Sequence, residues 1–254
     1  MKRIERKSAL GGRFLFNVLA KNADNAKEIW EAAEGYAVMG IVLKDYSSME
    51  AAYEAASDIK KIAGMVSVGL GGGDPSQWRR VVEVALRVDP GHVNQVFPAT
   101  GYTIGALQAR GFEGNVVNAL VGPSGTPGQV VLSTGPLSEK ASQKAVVPCD
   151  VAFRMIKEIG GTAVKAFPIE GDKRLSELAA IAKATKEAGL PILEPTGGIT
   201  LANVERLLRA CIEEGPEMVI PHVHSSIIDK ETGRTDPGKV AELVKIGKRV
   251  LGIS

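Results

Sequence analysis

Eight times along this chain an apolar, β-prone run is followed by a stretch with helical character, and that alternation constrains the fold more than any other feature. The runs are FLFNVLA from Phe14, AVMGIVLK from Ala37, MVSVGL from Met65, VNQVFP from Val93, NVVNALV from Asn115, TAVKAFP from Thr162, PILEPTG from Pro191 and MVIPHVHS from Met218. They are continuously apolar rather than alternating, as strands covered on both faces are in parallel sheets. The first helix is expected from about Asp24 to Glu34, and Ser47 or Ser48 is placed to cap the second. Asp74 and Pro75 suit the N-cap and first position of the third, and DPGKVAELVKIGKRVLGI closes the chain as a helix. Eight strands with eight helical partners in 254 residues predict an α/β fold, a (β/α)8 TIM barrel forming a single domain over 1–254, rather than an open doubly wound sheet.

One connection breaks the rhythm. Between the fifth strand and VPCDVAFRMIKEIG lies GPSGTPGQVVLSTGPLSEKASQKA, whose Gly, Pro and Ser content predicts a long βα-loop insertion around 122–146 with a small hairpin at QVVLST. It follows a strand, so it belongs on the C-terminal face, where it reads as a lid, an oligomer contact or a tolerated surface insertion.

Composition removes several function classes. A net charge of +2, with no basic stripe interleaved with aromatics, argues against a nucleic-acid partner. No apolar run is long enough to cross a bilayer and the N-terminus lacks the apolar core of a secretory signal, so the chain reads as cytoplasmic with no membrane partner. Cys149 and Cys211 are far apart and lack metal-ligand spacing, which argues against a disulfide framework or a structural zinc site.

Two motifs carry chemistry. Lys165 sits inside the sixth apolar run, although stripping an ammonium of water costs several kcal/mol. In a barrel the strand C-termini converge on one mouth, so Lys165 would project into a dry central pocket. Desolvation there lowers its pKa and leaves more of it as the nucleophilic amine that a Schiff base needs. The plainer alternative is a lysine that snorkels to water or pairs with Glu170 or Glu194. The second motif, LEPTGGITLANVERLL, ends a strand in Thr-Gly-Gly, with Thr200 placed to cap the next helix. Its glycines let backbone N–H groups approach an anion, and loops after strands seven and eight of barrels frequently bind phosphate.

AVKAFP followed about 30 residues later by PTGGIT resembles the class I aldolases that cleave 2-keto-3-deoxy-6-phosphogluconate, closest to the divergent bacterial branch assigned to glucosaminate breakdown. The matching residues are Lys165, Phe167 and Pro168, then Pro195, Thr196, Gly197 and Gly198. The resemblance implies a 2-keto-3-deoxy sugar acid phosphate split into pyruvate and glyceraldehyde 3-phosphate, with Lys165 forming the imine. It also implies Thr196 at the pyruvyl carboxylate, Gly197, Gly198 and Ser225 at the phosphate, and Lys44 beside an anionic group. No metal or cofactor is implied, and the assembly is a homo-oligomer, a trimer or larger.

The chain departs from that pattern at two places. The family's general-base glutamate on strand two falls on Gly40, with Lys44 four positions later at the basic position. Strand alternation puts Glu194 on the same side as Thr196, one layer deeper and beside the strand carrying Lys165. Glu194 is therefore the expected general base and Asp45 the second choice, the alternative being a buried ion pair that only satisfies Lys165. On strand eight HVHSS replaces a Gly-Gly-Ser turn, and Ser225 aligns with the phosphate-binding serine. His222 and His224 form an i, i+2 pair without a convincing third ligand, which favours mouth lining or packing over metal. GLGGGDP at Gly69 lacks the third glycine of a dinucleotide fingerprint and reads as a turn and helix cap. Asn17, Phe97 and Asn118 are placed at the mouth without assigned roles. Two rival functions stay open at this point: a metal-free phosphosugar isomerase or epimerase, and a barrel that binds a phosphorylated metabolite without chemistry.

Overall fold

A computed structural model describes residues 4–253. Its strands are β1 (Phe16–Leu19), β2 (Ala37–Val42), β3 (Val66–Gly69), β4 (Gly91–Val96), β5 (Val116–Pro123), β6 (Gln129–Val131), β7 (Val146–Pro148), β8 (Ala163–Ala166), β9 (Ile192–Pro195) and β10 (Met218–Val219). The helices are α1 (Ala23–Ala32), α2 (Met49–Ala63), α3 (Trp78–Val88), α4 (Thr100–Ala109), α5 (Cys149–Glu158), α6 (Leu175–Glu187), α7 (Val204–Glu213) and α8 (Pro237–Leu251). The order β1-β2-β3-β4-β5-β8-β9-β10 is parallel throughout. Parallel bridges from Phe14 to Val219 and from Asn17 to His222 join its two ends. There the Asn17 N–H donates to Pro221 O (3.0 Å) and the Val223 N–H to Asn17 O (2.9 Å). The sheet closes on itself as the eightfold alternation predicts, and closure removes its edges.

Side-chain alternation along each strand then builds the interior in layers. At the N-terminal end Leu15, Val38, Met65, Val116, Ala163, Ile192, Met218 and Ile220 cluster with one another, separately from the larger core beneath the helices. Two residues further along, the same inward positions are occupied by Asn17, Gly40, Ser67, Asn118, Lys165, Glu194 and His222. An apolar floor thus carries a polar layer. This is where a solvent-excluded site can be built.

Helix starts largely follow local chemistry. Ser48 accepts from the Ala51 N–H (3.2 Å) at the head of α2, and Asp236 caps α8. Asp74 accepts from the Ser76 N–H (2.9 Å) in the 3-10 turn Pro75–Gln77 that leads into α3. Thr200 does not cap α7, which begins only at Val204. Asn203 ties the preceding turn instead: its Oδ1 accepts from the Thr200 N–H (2.8 Å) and its Nδ2 donates to Gly198 O (2.9 Å).

After β5 the chain makes a three-stranded antiparallel excursion rather than a simple hairpin, because β5 runs on to Pro123 and pairs with β6, which pairs with β7. Thr134 pins it beside the barrel mouth, its Oγ1 accepting from the Phe97 N–H (2.9 Å) and donating to Leu120 O (3.1 Å). No described helix is long and apolar enough to cross a membrane.

Candidate active site

The strand C-termini surround a cavity of about 170 Å³ whose wall includes Asn17, Asn94, Lys165, Thr196, His222 and His224. Lys165 Nζ donates to Asn94 Oδ1 (2.8 Å) and lies 3.3 Å from His222 Nδ1. Burial pushes the ammonium down to about 8, against the pull of Glu194.

Glu194, fully buried, is the register partner of Lys165 on the neighbouring strand. Its Oε1 accepts from His92 Nε2 (3.1 Å); its Oε2 accepts from His222 Nε2 (2.7 Å) and Asn118 Nδ2 (2.7 Å). Burial alone would raise this carboxyl, but its contacts with His92 and His222 outweigh that and hold it well below the usual carboxylate range. An ionised carboxylate only accepts, so both imidazoles carry their proton on Nε2. His92 Nδ1 then accepts from the Ser67 hydroxyl (2.9 Å), Ser67 Oγ accepts from Asn94 Nδ2 (2.9 Å), and Asn94 Oδ1 accepts from Lys165 Nζ. Burial and the Lys165 charge push His222 far below its ordinary value, so it is neutral and aims the Nδ1 lone pair at the Lys165 amine. Lys165, Asn94, Ser67, His92, Glu194 and His222 therefore form a closed ring of hydrogen bonds with one consistent proton arrangement. Asn118 braces it from within, its Nδ2 also donating to Asn94 Oδ1 (2.9 Å).

The expected site residues separate into four positions. Lys165, Thr196, Gly197, Gly198 and Ser225 line the cavity together. Glu194 lies beneath it, and its link to Lys165 runs through His222 rather than through direct contact. Lys44 is exposed at the rim, its stem laid so closely over Gly71 that a Cβ there would sit 2.5 Å from Lys44 Cγ. Asp45 faces a separate groove beside Lys21, Tyr46 and Gly233, away from Lys165. A glutamate at position 40 would meet a steric obstacle, since a Cβ on Gly40 would lie 2.9 Å from Ser67 O. The barrel carboxylate therefore comes from β9 instead of β2.

Two glycine turns face the cavity. Gly197 and Gly198 have φ of +103° and +71°, and a Cβ on Gly198 would be 2.6 Å from Gly171 N. Among the described residues the N–H groups of Gly197, Gly198 and Ile199 have no protein acceptor, which leaves them for an anion. The second turn, Gly71–Gly73, has φ of +92°, +58° and +73°, and its N–H groups are equally free among the described residues. Phe167 packs between the two turns, close to Gly73 on one side and Gly197 on the other. The Gly71 segment, expected from the sequence as a turn and helix cap, is also a cavity wall. Asn94, Ser67 and His92 have no role in the sequence expectations, although their inward register on β3 and β4 is a usable signal.

The KDGP aldolase family model matches residues 10–231, a span that holds the whole ring and both glycine turns. The chain belongs to the KDGP aldolase family. As a member it is an aldolase, a carbon–carbon lyase. It is 44% identical over 242 residues to the 2-dehydro-3-deoxy-phosphogluconate aldolase of Salmonella typhimurium, covering 94% of this chain and 96% of that one. Solved structures share the fold of this KDGP aldolase family member at low identity. Thiamine phosphate pyrophosphorylase from Pyrococcus furiosus aligns with a TM-score of 0.57 at 19% identity, over 94% of this chain and 97% of that one. A 3-hexulose-6-phosphate synthase aligns at 0.53 and 16%, over 91% and 99%.

Proposed function

We propose that this aldolase cleaves 2-keto-3-deoxy-6-phosphogluconate, or a close 2-keto-3-deoxy sugar acid phosphate, into pyruvate and glyceraldehyde 3-phosphate through an imine on Lys165. The observation that carries the reading is an amine of lowered basicity in a cavity, beside a neutral imidazole backed by a buried carboxylate. The neutral Lys165 amine attacks the C2 ketone, and the carbinolamine takes up one proton from solvent and loses water to give the iminium. His222 Nδ1, the lone pair beside Lys165, takes the C4 hydroxyl proton as the C3–C4 bond breaks. The bond's electrons pass into the iminium to form an enamine, and glyceraldehyde 3-phosphate leaves. His222 returns the proton to C3, and water then releases pyruvate and restores the amine. Glu194 thus serves as a positioning residue: it fixes the His222 tautomer and stabilises the imidazolium, as the carboxylate of a catalytic triad does. Thr196 serves the pyruvyl carboxylate; Gly197, Gly198 and Ser225 seat the phosphate, with Lys44 supplying positive charge at the rim. The chain acts as one barrel domain in the cytoplasm, with 122–146 as its insertion.

Reduction with borohydride in the presence of pyruvate, followed by mass spectrometry, tests the chemistry. A pyruvate-derived adduct on the Lys165 peptide is expected. An unmodified Lys165, where a control class I aldolase is trapped, would instead favour an isomerase or a binding protein.

Self-association belongs to the same proposal. Val151 and Met155 of α5 and Ile159 just after it recur at helical spacing and are 44%, 41% and 38% exposed, beside Tyr102 of α4 at 62%. Such a stripe suits a second copy of the chain, in a trimer or larger. Light scattering should find an oligomer that Val151→Glu with Met155→Glu dissociates; a monomeric wild type would sink the idea.

A further inference from the structure

Asn17 is a buried side chain of the cavity wall that is only half used. It is 1% exposed, and its strand neighbour in register is His222. His224 Nε2 donates to Asn17 Oδ1 (3.1 Å), while Asn17 Nδ2 has no acceptor among the described residues. Burial, with Lys165 nearby, brings His224 down to about 3, so it is a neutral imidazole whose Nε2 proton turns and holds the Asn17 amide. An enclosed N–H without an acceptor is destabilising, and such a group facing a reactive cavity implies an oxygen that arrives with the ligand.

We propose that Asn17 Nδ2 donates a hydrogen bond to the substrate's C4 oxygen, and that His224 is the residue that positions it. The assignment rests on the Schiff-base reading above. The two side chains of the Asn17–His222 pair stand side by side, so the oxygen that gives its proton to His222 Nδ1 lies next to the Asn17 amide. Negative charge gathers on that oxygen as its proton leaves and before its carbonyl is complete. A fixed N–H directed there lowers the barrier. In the condensation direction the same bond polarises the incoming aldehyde. Pyruvate has no C4, so Asn17 should be silent in every step that involves pyruvate alone.

That silence provides the test. Asn17→Ala and Asn17→Asp are compared with wild type in three assays: cleavage kcat and KM, borohydride trapping of pyruvate on Lys165, and exchange of pyruvate methyl protons into deuterated water. Asn17→Asp, assayed at about pH 8, keeps an oxygen for His224 but replaces the donor with an acceptor. Loss of one such donor is expected to lower cleavage kcat by about 10²–10³-fold in both variants. Trapping and exchange should stay within about twofold, which also reports an intact fold around Lys165. Near-normal cleavage by Asn17→Asp would show that the residue only anchors His224 and would overturn the assignment. A parallel fall in pyruvate trapping would overturn it too, by placing the contact on the pyruvyl half. Failure of the Schiff-base reading has a different signature, a wild-type enzyme without any Lys165 adduct.

Discussion

Lys165→Met is expected to lower cleavage by about 10⁴-fold or more, the scale of losing a covalent nucleophile, while leaving the protein at least as stable as wild type. Among the described residues no other lysine lines the cavity; Lys44 stays at the rim. The stability half of the prediction follows from linkage. Burial lowers Lys165 to about 8, below its unfolded value of about 10.4. Between these values the unfolded chain binds more protons than the native one, so the Lys165 contribution becomes more favourable as pH rises through that window. Below it the native state carries the full cost of a confined ammonium, which an apolar side chain of similar length relieves. The same shift sets the wild-type pH profile. The protonated amine cannot attack a ketone, so kcat/KM should rise with pH and level off above about 8. Stopped activity together with raised or unchanged denaturant midpoints would support both halves. A Lys165→Met enzyme that still cleaves the keto acid would end the imine mechanism.

Glu194→Gln is expected to reduce cleavage by about 10³–10⁴-fold, comparable to the loss when the carboxylate of a catalytic triad becomes an amide. The carboxylate accepts from three donors at once. An amide can keep its oxygen toward His222 and Asn118 only by turning its N–H groups toward His92, whose own proton must then move to Nδ1, and it no longer carries the negative charge that stabilises the His222 imidazolium. Lys165 trapping by pyruvate should slow, while KM for the keto acid changes little because Glu194 does not reach the cavity. Truncation to alanine leaves buried donors unpaired and should cost about 3–5 kcal/mol of stability. The pH dependence of unfolding gives a second readout. Glu194 has a depressed folded pKa, so its contribution is fully present above the unfolded value of about 4.3 and is lost as pH falls toward the folded one. His222 and His224 are lowered in the native state, so their contribution weakens earlier, as the unfolded histidines take up protons below about 6.5. Wild type should lose stability in two stages on acidification, and in Glu194→Gln the second should be shallower, since Glu28, Asp74, Glu170, Glu205 and Asp229 are lowered too. A variant with the wild-type profile and near-normal turnover would remove Glu194 from the mechanism.

The local pattern of the chain was enough to place the strands, their parallel sense and the inward direction of Lys165, because strand alternation and helix caps act over a few residues. It also marked the Thr196–Gly198 turn, since adjacent glycines after a strand permit the positive φ that a tight turn needs. Glu194 stands beside Lys165 in register on the next strand, and its hydrogen bonds run to His92, His222 and Asn118 rather than to Lys165. Which inward side chains meet depends on how far each strand is staggered against its neighbour, and that is decided only when the barrel closes. The ring draws Ser67 from β3, His92 and Asn94 from β4, Asn118 from β5, Lys165 from β8, Glu194 from β9 and His222 from the segment after β10. No spacing along the chain relates Ser67 to Glu194, and no composition tells which nitrogen of His222 bears the proton. Those follow from a single carboxylate, enclosed by three donors, whose ionisation fixes the direction of every hydrogen bond around it.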